Sequence, residues 1–173
     1  MRATPLPLAV LAAALLLTAC SDEGDKGTDT SQDSTACKID EVAVEVGPAN
    51  AAPAVGDTGN VPITITNRAE ECTLDGLPAV EFDAGDIVTN AVPDPAAEPQ
   101  KLTLAKDQAV SFTITYVRGE ADPAKSLAVK KGKFMLPGST ATHSFPWSYG
   151  DVAIKGAGPE ADATTSGFTQ VGD

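Results

Sequence analysis

A single histidine, His143, stands in the whole chain, and no Gly-x-Ser-x-Gly turn occurs. A triad built on a histidine base therefore has one residue to start from, and the sequence argues against an enzyme. Cations are scarce: 12 Lys and Arg stand against 24 Asp and Glu, for a net charge of -12. Such a surface repels phosphate backbones, which disfavours nucleic-acid binding and favours solubility. Cys37, Cys72 and one distant histidine lack the close spacing of a metal site. No apolar run reaches the roughly 20 residues that span a bilayer. No window carries a 3.6-residue period of useful length, which leaves no amphipathic helix to build on. The length allows one domain with appendages.

What is present begins with an export signal. Met1 and Arg2 supply a short positive region, residues 6–17 form an apolar run broken early by Pro7, and Leu17-Thr18-Ala19-Cys20 closes it. A run of this length fits the apolar part of a secretory signal, and no twin-arginine pair precedes it, which indicates the Sec route. The Leu-Thr-Ala-Cys ending resembles the lipobox of bacterial lipoproteins. That resemblance implies residues 1–19 as signal peptide, cleavage after Ala19 and a diacylglyceryl group on the Cys20 thiol. Two acyl chains, at about 0.8 kcal/mol per buried methylene, anchor stably where one does not. The alternative is an ordinary cleavable signal with an incidental cysteine.

An odd cysteine in an exported chain needs an explanation. With Cys20 acylated, Cys37 and Cys72 remain as a pair in a compartment that preserves disulfides; two free structural thiols are the other reading. After Cys20, residues 20–36 hold no large apolar side chain, and such a stretch is expected to be a disordered acidic tether. Its Asp22, Glu23, Asp25, Asp29 and Asp33 read as solvated spacer rather than a cation site.

Residues 37–155 read as the domain. Val61, Ile63 and Ile65 alternate with Pro62, Thr64 and Thr66, the period-2 pattern of a half-buried strand. Val110, Phe112, Ile114 and Tyr116 alternate in the same way with Ser111, Thr113 and Thr115. Weaker strands are expected at Val42 to Val46, at Val80 and Phe82, over 87–92, at Leu102 and Leu104, at Leu127 and Val129, and over 133–136, 142–145 and 152–154. Asp75-Gly76 and Lys106-Asp107 read as turns, and residues 93–99, with three prolines, as an extended loop. Seven to nine short strands between Gly, Pro and Asp-rich turns predict an all-β fold, an immunoglobulin-like antiparallel β-sandwich. Residues 156–173 read as a flexible tail.

Asn67, Cys72-Thr73-Leu74, Gly76, Pro78, Val80 and Gly85 resemble the signature of domain of unknown function 4232, found mainly in actinobacterial lipoproteins and exported proteins. The strand, turn and Phe-bearing strand over 102–114 fit the same family. The resemblance implies an Ig-like sandwich and a disulfide between Cys37 and Cys72; it brings no activity. Leu77 and Ala79 depart from the family pattern.

The remaining candidates for chemistry are few. Asp83 and Asp86 read as turn charge rather than a glycosidase pair. Met135 and His143 are soft-metal ligand types, but two are too few; they read as a core filler and a strand-edge residue. Phe145, Trp147 and Tyr149 form either a platform for sugar or peptide or, the preferred reading, the closure of one end of the core. The sequence thus points to a monomeric, non-enzymatic module without a cofactor. Its place is the outer face of the cell membrane, held by the N-terminal lipid, with an envelope protein or glycan as partner. The alternative is a small-ligand or metal-ion carrier.

Overall fold

The computed structural model describes residues 35–172, so the leader, Cys20 and the tether up to Ser34 lie outside the described residues. Among the described residues there are fourteen strands and no helix. In chain order they begin with β1 (Val42–Val46), β2 (Thr58–Asn67), β3 (Cys72–Gly76), β4 (Ala79–Asp83) and β5 (Val88–Asn90). Next come β6 (Val92–Pro93), β7 (Gln100–Leu104), β8 (Ala109–Val117), β9 (Ser126–Leu127) and β10 (Lys131–Met135). The last are β11 (Thr142–Pro146), β12 (Val152–Ala153), β13 (Ala163–Thr165) and β14 (Thr169–Gln170).

The two strands with the cleanest alternation form the centre. β2 and β8 pair antiparallel with Val61 opposite Ile114 and Ile63 opposite Phe112. All four side chains are buried, as are Ile65, Val110 and Tyr116. A slip of one residue would turn every one of them outward, so the hydrophobic pattern itself pins the register. The larger sheet runs β1-β2-β8-β13-β6, with β14 added on β8; the second runs β11-β10-β4-β5. β3 pairs with β7 and β9 with β12. Side chains from both larger sheets belong to one buried cluster, in which Phe112 of β8 meets Phe134 of β10 edge-on at 5.5 Å.

Several expectations change. The stretch 156–173 is not a loose tail in its described part. β13 pairs with β8 on one side and β6 on the other, β14 pairs with β8, and Phe168 is buried edge-on against Phe112 at 5.7 Å. Elements of two or three residues are too short to show a period; β8 sets their register. The β13 to β6 pairing is parallel, so the larger sheet is mixed rather than purely antiparallel. Asp75-Gly76, read as a turn, instead ends β3, the strand that begins at Cys72. The stretch 87–92 divides at Ala91, whose amide donates to the Val80 carbonyl at 3.0 Å, and β5 and β6 join different sheets.

Candidate functional site

Where the described chain begins, Cys37 and Cys72 form a disulfide. Beside it the Cys37 amide donates to the Thr73 carbonyl at 3.0 Å and the Thr73 amide to the Thr35 carbonyl at 2.6 Å, which holds the entering chain to β3. A groove of about 490 Å³ flanks the disulfide, lined in part by Ile39, Pro137, Ser139 and Ala141. Its volume suits a small ligand, but its one cation, Lys38, is taken by Glu41 at 3.0 Å. Asn67 is buried nearby in sequence and closes its turn from inside. Its Nδ2 donates to the Glu70 carbonyl at 2.8 Å and the Leu104 carbonyl at 3.0 Å, while its Oδ1 accepts from the Ala69 amide.

Phe145, Trp147 and Tyr149 do come together, but as core. Phe145 is 5% and Trp147 7% exposed, so a platform for a bound ring is lost and only Tyr149 stays half-exposed. Trp147 packs edge-on with Phe82 at 5.1 Å, Tyr116 at 5.1 Å and Tyr149 at 4.9 Å, and its Nε1 donates to the Gly150 carbonyl at 2.7 Å. Burial pushes the Tyr149 phenol pKa up, with Tyr116 adding to it. Sequence reasoning missed the two residues that tie this end together. The Tyr116 hydroxyl donates to the Tyr149 carbonyl at 2.8 Å and accepts from the Ala52 amide at 3.2 Å. Arg118 Nη1 donates to the Ala52 carbonyl at 2.8 Å. A tyrosine near the end of β8 and an arginine two residues on, just past the strand, were the available signal.

Residues 37–171 match the domain of unknown function DUF4232. The chain belongs to that family. No curated protein matches it. The DUF4232 match extends past residue 155, the end of the domain as read from sequence, and takes in β13 and the tail strand β14.

Elsewhere on the DUF4232 domain, Met135 and His143 do not converge. His143 stands opposite Phe134 in the ladder, so it shares the core-facing side; Met135, one residue on, projects to the other. His143 lies half-buried with its ring 5.3 Å from that of Phe134, and desolvation pushes its pKa below 6.5. Among the described residues no group of three or more His, Cys, Asp or Glu side chains is placed to hold a metal ion. Of Asp83 and Asp86, the first is tied into its turn. Asp83 accepts from the Gly85 amide at 3.0 Å and from Lys133 at 3.2 Å, and these bonds hold its carboxyl pKa below the usual value, the Gly85 amide foremost. Lys133 also meets Glu81 at 2.8 Å, directly across from it in the β4 to β10 register, and the two carboxylates raise the lysine pKa.

Proposed function

We propose that this DUF4232 protein is a lipid-anchored, non-enzymatic binding or structural module, exported by the Sec route and held at the outer face of the cytoplasmic membrane. Its strands make an immunoglobulin-like sandwich. Support for the sandwich comes from the contact between the two larger sheets, Phe112 on Phe134, and from Tyr116 meeting Trp147 just past the end of β11. Support for a non-catalytic role comes from the fate of its reactive side chains: Cys37 and Cys72 are joined, Lys133 is paired with Glu81 and Asp83, and His143 leans on an apolar ring.

One observation carries the anchor. With Cys37 and Cys72 bonded to each other, Cys20 is the remaining cysteine of three, at the end of an apolar run and directly after Leu17-Thr18-Ala19. A disulfide that lasts also belongs to an exported chain. Cells producing the wild type and Cys20→Ala, grown with labelled palmitate, test it. Label enters the wild type and not the variant, and the variant leaves the membrane fraction; equal labelling overturns the anchor.

A further inference from the structure

β11 ends the four-stranded sheet, with β10 on its inner side and, among the described residues, no strand on its outer side. Pro146 stands opposite Lys131 and has no N–H to offer, while the Trp147 amide donates to the Lys130 carbonyl at 3.0 Å. Antiparallel pairs alternate, so His143 and Phe145 turn their backbone groups toward β10, whereas Thr142 and Ser144 turn theirs outward. Thr142, Ser144 and Pro146 are all exposed. The other strands that end the two larger sheets are guarded: β6 has two residues, one of them Pro93; β5 has three; and β1 presents Glu45 to solvent. β11 has five residues and no Asp, Glu, Lys or Arg, and its one proline stands at the end of the strand, so Thr142 and Ser144 keep outward N–H groups open to pairing.

The neighbours of that edge specify what would lie on it. Side chains of an added strand alternate between two faces. On the core side they would lie beside the half-buried His143 and the buried Phe145, neighbours that favour an apolar group. On the other side they would lie beside Thr142 and Ser144, with Lys133 and Lys131 of β10 one strand further in. Lys130, Lys131 and Lys133 fall within four residues of a chain whose net charge is -12. Among the described residues Lys133 is paired, whereas neither Lys130 nor Lys131 has a carboxylate within ion-pair distance. A second copy would bring these lysines, and two strongly negative molecules, against each other.

We propose that the outer edge of β11 receives an extended strand of a partner protein in which apolar and acidic side chains alternate, pairing through Thr142 and Ser144 with its acids toward Lys131. This rests on the reading of the domain as a binding module and adds a strand to the sheet. The test titrates the full chain in detergent micelles with a synthetic octapeptide of alternating valine and glutamate, and with its valine and lysine counterpart. Heat and the Ser144 amide signal are followed. The glutamate peptide binds about fivefold tighter than the lysine peptide or better, and the Ser144 amide becomes protected from exchange. Ser144→Pro, which removes the outward N–H, weakens binding about fivefold. Lys131→Glu, at an exposed position across from Asp83, abolishes the preference for glutamate. No binding of either peptide, equal binding of both, or binding indifferent to Ser144→Pro and Lys131→Glu overturns the proposal. Palmitate labelling of Cys20 is read separately, so an acylated chain that ignores both peptides overturns the strand site alone.

Discussion

Trp147 shows how one side chain organises an end of the core. It meets three rings edge-on and satisfies its own N–H on Gly150, so it is buried without an orphaned donor. The aromatic cluster was visible in sequence, and its role as core follows from the company it keeps in space. His143 is the residue whose environment sets a pH dependence. Burial holds the folded imidazole pKa below 6.5, so the unfolded chain takes up a proton first as pH falls. The stability tied to the neutral ring is full above about 6.5, declines as pH drops below that value and levels off beneath the folded pKa. Urea denaturation of wild type and His143→Gln between neutral pH and about 5 checks this: the wild type loses more stability than the variant. Parallel losses would show that the ring titrates as it does in the unfolded chain. The Lys133, Glu81 and Asp83 cluster was not legible in sequence, because a cross-strand neighbour exists only once register is set.

At the scale of elements, β2 and β8 declare themselves because ten and nine residues are long enough to show a period of two. β13 and β14 have three and two residues, and they exist because β8 offers them unpaired backbone and Phe112 offers Phe168 a ring to pack on. Phe168 is 3% exposed, so Phe168→Ala is expected to cost about 3–5 kcal/mol, measured by chemical denaturation. Amide protection at Thr164 and Thr169 should fall in the same variant. A loss under about 1 kcal/mol, within the range of ordinary surface changes, would mean that the last strands are held by backbone pairing alone. The division of 87–92 at Ala91 has a similar origin: each half bonds to a different sheet, a choice that no local pattern encodes.

For the whole molecule the disulfide matters most, since it joins the start of the described domain to β3 across 35 residues of sequence. Cross-linking a loop of that length removes entropy from the unfolded chain, so Cys37→Ser with Cys72→Ser is expected to lower stability by about 3–4 kcal/mol in the chain-entropy model. Denaturation of the double variant beside the oxidised wild type checks it, and near-equal midpoints would show that the Thr35 and Cys37 backbone bonds to Thr73 suffice. The all-β class and the two central strands were determined by the sequence alone, and the odd cysteine count left Cys37 with Cys72 as the pair to expect once Cys20 is set aside. Alternation and cysteine number are local or countable properties, and the physics that reads them needs no coordinates. Tertiary structure alone decided the mixed sheet, the docking of Phe168, the partners that Trp147 meets, and the separation of Met135 from His143. Each of these depends on which strand lies beside which. That choice is made by the fit of distant side chains in one shared core, and a string of residues does not record the fit.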